Sequence, residues 1–97
     1  MKTTKIYVGV DVSKATLDIY RPDKNEAFQI KNSDQAIDDL CLRFEKKKRQ
    51  LVVVMEGTGG YEYLLLKHLA SHKIEAAVIN PRRVRDFAKG IGENGPH

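Results

Sequence analysis

The sequence predicts one α/β domain built on a mixed five-stranded sheet flanked by helices, in the order βββαβαβα. Three observations predict it. Apolar residues alternate with period two through three short stretches in the first third of the chain. The period then lengthens to that of a helix, and afterwards helical and strand patterns take turns. Finally, Leu51 to Met55 is apolar at every position, which fits a central strand covered on both faces, as in a parallel sheet.

In residues 5–11, KIYVGVD, side chains Ile6, Val8 and Val10 fall on one face and Tyr7, Gly9 and Asp11 on the other. Val12 to Ala15 reads as a turn. Residues 16–21, TLDIYR, alternate again through Leu17 and Ile19, and Pro22-Asp23-Lys24-Asn25 is a strong turn signal. Ala27 to Ile30 supplies a third strand with Phe28 and Ile30 on one face, and the short links make an antiparallel meander. Ile37, Leu40, Cys41 and Phe44 then stand at i, i+3, i+4 and i+7, the stripe of an amphipathic helix. Asn32 or Ser33 is its expected cap, with Gln35 placed for a capping box back to Asn32. Lys46 to Arg49 puts positive charge at its carboxyl end, where the helix dipole favours it.

After the 51–55 strand, Gly57 to Gly60 makes a turn. A second helix is expected with Tyr61, Leu64, Leu65 and Leu69 on its inner stripe. Ala76 to Ile79 is a last strand. Asn80-Pro81 then reads as an N-cap followed by proline at the first helical position, opening a basic helix through about Lys89. Residues 1–92 are expected to form the domain, and the aperiodic residues 93–97 a frayed or non-native tail.

Ninety-seven residues suit one small domain with a modest core at 41% hydrophobic content. Seventeen basic against 13 acidic residues leave a net charge of +4 and a pI near 9.3, a lean toward polyanionic partners. The lone Cys41 excludes an internal disulfide framework and suits a reducing, cytoplasmic setting. No run approaches the ~18 apolar residues of a membrane span, so no membrane partner is expected.

Right-handed βαβ connections place the first strand beside the 51–55 strand and parallel to it. Asp11 and Glu56 then sit together at the carboxyl ends of adjacent strands, the edge where open α/β sheets bind ligands. Two carboxylates ~5 Å apart repel by about 3 kcal/mol at an effective dielectric of 20. A divalent cation relieves that repulsion, and hard oxygen donors favour Mg²⁺ or Mn²⁺. The plainer alternative, two unrelated acidic strand ends, has slightly more weight on spacing alone. Gly57-Thr58-Gly59-Gly60 also permits close backbone approach, so a phosphate cradle is weighed against an ordinary turn. Arg82, Arg83, Arg85 and Lys89 cluster on the last helix, and Lys14 stands in the turn after Asp11; all five are candidate contacts to nucleic-acid phosphates. His68 and His72 stand four apart without a glutamate that would complete a zinc-protease pattern, and are expected to be exposed. Cys41 is expected in the core.

The stretches VGVDVSKATLDI, VVVMEGTGGYEYLLLKHL and AAVINPRRVRDFAKGIG, in that order, resemble the N-terminal domain of the DEDD-type insertion-sequence transposases. That family includes the Piv/MooV-type invertases and is similar to the RuvC Holliday-junction resolvase. The resemblance implies an RNase-H-like fold and a four-carboxylate, Mg²⁺-dependent site for DNA strand chemistry. Asp11 matches the first aspartate of that set and Glu56 its glutamate. The remaining two aspartates belong to a Lys-Thr-Asp-x-x-Asp segment, but after Gly92 this sequence reads ENGPH. A second region, thought to supply a nucleophilic serine in the family, is also missing. The chain is therefore expected to be part of an active enzyme and inactive by itself, with weak metal binding. The resemblance further implies DNA partners (transposon ends and target), a structured guide RNA, and a homo-oligomer for the full-length protein.

Two other classes compete. An actin- or sugar-kinase-like ATPase fragment shares the strand order, but Asp11-Val12 is not followed by the glycine a phosphate turn needs. A non-catalytic nucleic-acid-binding or assembly module also fits the charge. Metal-dependent nicking, ATP binding and metal-independent binding distinguish the three.

Overall fold

The computed structural model describes residues 4–80. The expected last helix with Arg82, Arg83, Arg85 and Lys89, and the expected tail at 93–97, lie outside the described residues. Within them the order is β1 (Ile6–Val12), β2 (Thr16–Arg21), β3 (Glu26–Lys31), α1 (Asp34–Phe44), a 3₁₀ turn (Glu45–Lys47), β4 (Leu51–Glu56), α2 (Tyr63–Ser71) and β5 (Glu75–Ile79). One five-stranded sheet runs β3-β2-β1-β4-β5. The meander strands pair antiparallel, while β1–β4 and β4–β5 pair parallel. The mixed sheet with helical crossovers is the RNase-H-like arrangement.

Both helices pack on one face of this sheet. Val8 and Val10 of β1, Leu17 and Ile19 of β2, and Leu51, Val53 and Met55 of β4 meet Ile37, Leu40, Cys41 and Phe44 of α1 and Leu65 and Leu69 of α2. Each such side chain contributes about 1.5–3 kcal/mol by leaving water. Burial holds the Cys41 thiol up at about 11, with Asp38 and Glu45 adding to the effect, so it is a core thiol rather than a nucleophile.

Two local expectations are corrected. Ser33, one of the two expected caps, caps α1, its hydroxyl accepting from Ala36 N–H at 3.3 Å, but Gln35 turns outward to Asp39 rather than closing a capping box to Asn32. Helix α2 begins at Tyr63, and Tyr61 is exposed in the preceding loop. Its end has no glycine. Lys73 instead adopts a left-handed φ of 60°, while Lys73 N–H reaches Ala70 O and Ile74 N–H reaches Leu69 O. Those two bonds form a Schellman stop, and buried Ile74 and Leu69 supply its apolar contact.

The fourth strand departs from the expectation of two covered faces. Leu51, Val53 and Met55 face the helices; on the other face Val52 is buried between neighbouring strands, but Val54 is only half-buried. Among the described residues no helix covers that second face, on which Tyr7 and Tyr20 stand exposed. An open concavity of about 860 Å³ lies there, lined by β1, β2, β3 and β4 and by Ile79.

Candidate metal and nucleic-acid site

Strand parity puts Asp11 on the open face, opposite the core valines of β1. The β1–β4 register ends with Val10 beside Met55, so its next rung sets Asp11 beside Glu56. Adjacent strands lie ~4.8 Å apart. The same rung continues outward in both directions, since Asp11 faces Asp18, Asp18 faces Gln29, and Glu56 faces Ile79. All five line the concavity. The sequence reading thus paired the right strand ends but missed Asp18. The hairpin register was its available signal: with Leu17 and Ile19 inward, Asp18 had to share a face with Asp11.

Asp11 and Glu56 are exposed, and among the described residues neither accepts a hydrogen bond nor forms an ion pair. Asp18 is held by Gln29, whose Nε2 donates to Oδ1 at 2.9 Å. Exposure matters for the energetics. Water screens the Asp11–Glu56 repulsion well below the figure for a protein-like dielectric, to about 1 kcal/mol. The donor set, two free hard oxygen groups, fits a divalent cation of the Mg²⁺ or Mn²⁺ kind in chemistry. It is small, however: the described residues hold no group of three or more His, Cys, Asp or Glu side chains that could hold a metal.

The glycine turn after Glu56 is occupied by the chain itself. Glu62 is buried, and its Oε1 accepts from Thr58 N–H at 3.0 Å, from the Thr58 hydroxyl, and from Gly60 N–H at 3.2 Å. The Thr58 hydroxyl, then the backbone donors, hold this carboxyl down at about 2. Gly59 and Gly60 have φ of 85° and 146°, which explains the glycine pair. The donors a phosphate cradle would need at Thr58 and Gly60 therefore already hold an anion, the side chain of Glu62.

Lys14 is exposed in the β1–β2 turn, at the same sheet edge as Asp11 and Glu56, and makes no ion pair among the described residues. The expectation for the histidines is corrected. They are half-buried and brace α1 against α2: His68 Nε2 lies 2.7 Å from Asp34 Oδ1, and His72 Nε2 lies 2.9 Å from Asp38 Oδ1. Lys46 and Arg49 stay exposed, as expected of a solvated helix end, while Lys47 and Lys48 pair with Asp23 and Glu45.

An RNase-H-like domain with acidic side chains delivered to the carboxyl end of its central parallel pair defines the class. The chain belongs to the DEDD transposase family of the IS110 type, whose sequence profile, described as a transposase, matches residues 8–94. It is also similar to the pilin gene-inverting protein of Moraxella lacunata, with 27% identity over 94 residues, covering 92% of this chain and 29% of that protein. The chain thus spans less than a third of the curated relative it matches. No helix among the described residues is long and apolar enough to cross a membrane.

Proposed function

We propose that this chain carries part of the metal-dependent catalytic centre of a DNA transposase or site-specific recombinase, with Asp11 and Glu56 as ligands to Mg²⁺ or Mn²⁺. The observation that carries the reading is the pair of unpartnered carboxylates on one rung of parallel strands, within a chain of the transposase family. A bound divalent ion supplies activation of a nucleophile and charge neutralisation at a phosphodiester. The chain's own residues do the positioning. The parallel β1–β4 pair sets the two carboxylates side by side, and the Glu62 network keeps the loop after Glu56 in one shape. Lys14 meets the DNA backbone beside them, and Arg82, Arg83, Arg85 and Lys89, outside the described residues, are proposed as further phosphate contacts by their charge. A guide RNA is a second polyanion for the same basic residues, and assembly into a homo-oligomer belongs to the longer protein.

Two carboxylates give a divalent ion too few protein ligands for tight binding, because Mg²⁺ yields its waters reluctantly. The chain by itself therefore binds metal weakly and does not cut DNA. Titrating Mn²⁺ against thermal unfolding tests this. Saturating metal should raise the wild-type melting temperature by mass action, and Asp11→Asn should abolish the rise. Equal rises in the two proteins would remove Asp11 from the ligand set. Robust Mn²⁺-dependent cleavage lost in Asp11→Asn would show that the chain holds more of the centre than two carboxylates. The non-catalytic binding module is the second reading; it predicts salt-sensitive DNA binding with no metal response at all.

A further inference from the structure

We infer that Asn32 is a positioning residue that couples the two loops that follow Asp11 and Glu56 at the carboxyl end of β1 and β4, so that Asp11 and Glu56 keep one relative geometry. The inference rests on the metal-site reading above. Asn32 follows β3 directly and holds both loops at once. Its backbone N–H donates to Ala15 O at 2.9 Å. Its side-chain Nδ2 donates to Ser13 O at 2.9 Å and to Tyr61 O at 3.1 Å. Ser13 stands two residues beyond Asp11, and Tyr61 five residues beyond Glu56.

Both amide hydrogens are thus spent on carbonyls of different loops, which fixes the orientation of the side chain. Its Oδ1 is buried and has no hydrogen-bond partner among the described residues. Leaving a buried acceptor unmet is costly. A residue that only ended a strand or capped a helix would not need this arrangement, and Ser33 already performs the capping. Each loop is also stiff where Asn32 grips it. Ser13 and Thr16 close the first through the Ser13 hydroxyl, which donates to Thr16 O at 3.0 Å and accepts from Thr16 N–H at 3.3 Å. In the second, Tyr61 N–H donates to Thr58 Oγ1 at 2.9 Å, and Thr58 is bound to Glu62. A tether between two stiff loops transmits displacement from one to the other. A tether between floppy ones would not.

The test uses Asn32→Ala, which deletes the tether, and Asn32→Asp, which keeps its shape but replaces the donor with an acceptor facing two carbonyls. Ile37→Val, a core change in α1 that removes none of these hydrogen bonds, is the control for a plain loss of stability. Amide hydrogen exchange is read at Thr16 and at Thr58 and Tyr61, and the Mn²⁺ midpoint is read from the thermal titration. Both Asn32 variants should accelerate exchange in both loops by about tenfold, and raise the Mn²⁺ midpoint about threefold. Ile37→Val should leave the midpoint unchanged. Acceleration confined to one loop overturns the coupling. So does a lowered melting temperature with a wild-type Mn²⁺ midpoint, because Asn32 would then be a structural brace only. A wild-type protein with no Asp11-dependent Mn²⁺ response overturns the metal-site reading instead, and the two-loop exchange result then decides the coupling by itself.

Discussion

At the amino end of the parallel strands, Lys5, Arg21, Arg43 and Lys47 are each paired with a carboxylate while Lys46 and Arg49 stay in solvent, whereas at the carboxyl end Asp11 and Glu56 are left without partners among the described residues. Arg21 is the clearest case at the amino end. It is 3% exposed, projects from the core face of β2, forks onto Asp23 at 2.9 and 3.2 Å, and lies over the Phe44 ring at 5.1 Å. Lys47 approaches the same Asp23, Arg43 sits over Phe28 and reaches Glu26, and Lys5, just before β1, meets Glu75 at the start of β5. The carboxyl end keeps its carboxylates together on one rung and satisfies its loop backbone from within, Glu62 accepting from the N–H groups of Thr58 and Gly60 and Asn32 donating to the carbonyls of Ser13 and Tyr61. The difference teaches where the fold is stabilised and where it is kept available. Charges bound to one another are poor ligands, and a metal site needs carboxylates with lone pairs free.

Substitutions should divide along the same line. The largest effect is expected for Arg21→Ala, which strips the bidentate partner from Asp23 and the cation from above Phe44. A loss of about 3 kcal/mol is expected in urea unfolding. A loss under ~1 kcal/mol would mean that the amino end is not the braced one.

Glu62→Gln comes next, at about 2 kcal/mol, because the neutral amide cannot replace a carboxylate accepting three hydrogen bonds. Its pH signature is specific. The Glu62 carboxyl lies near 2 when folded against an ordinary 4.5, so its contribution is complete above about pH 4.5 and is lost as pH falls toward 2. Asp34, lowered chiefly by its hydrogen bond to His68, and Glu45, lowered chiefly by Lys48, act in the same direction. Acid unfolding of wild type and Glu62→Gln should therefore show a shallower fall for the variant between pH 4.5 and 2. Identical slopes would place the acid sensitivity elsewhere.

The smallest effect belongs to the carboxyl end. Asp11→Asn should leave stability unchanged or raise it by less than ~1 kcal/mol, since it removes one of three carboxylates on a rung without breaking a bond. A loss above ~1 kcal/mol in metal-free buffer would show that Asp11 serves the fold and would end the contrast between the two edges.

Much of the strand pairing was legible because a buried face leaves a period-two trace that admits one parity. Val8 and Val10 fixed which way Asp11 pointed, and Leu17 and Ile19 did the same for Asp18, although that consequence was not drawn. The unbroken apolar run of Leu51 to Met55 marked a central strand correctly. It overstated the cover on the second face, because side chains at the middle of a sheet are shielded by neighbouring strands as well as by helices. Tyr61 fitted a helical stripe yet stands in a loop. Glu62 claims the donors at Thr58 and Gly60, and the helix starts only after that network closes.

Local pattern therefore sufficed for the elements, their order, the acidic strand ends and the family resemblance. Each of these depends on neighbours in the chain or on the identities of a few residues in series. The partners of Arg21, the bracing of His68 and His72 by α1, the Schellman stop at Lys73 and the Asn32 tether could not be read that way. Ser13, Asn32 and Tyr61 are brought together only when the meander and the βαβ crossover meet at one sheet edge. A hydrogen bond between residues 29 positions apart leaves no periodic trace. Tertiary packing alone decided which charges were neutralised and which carboxylates remained free.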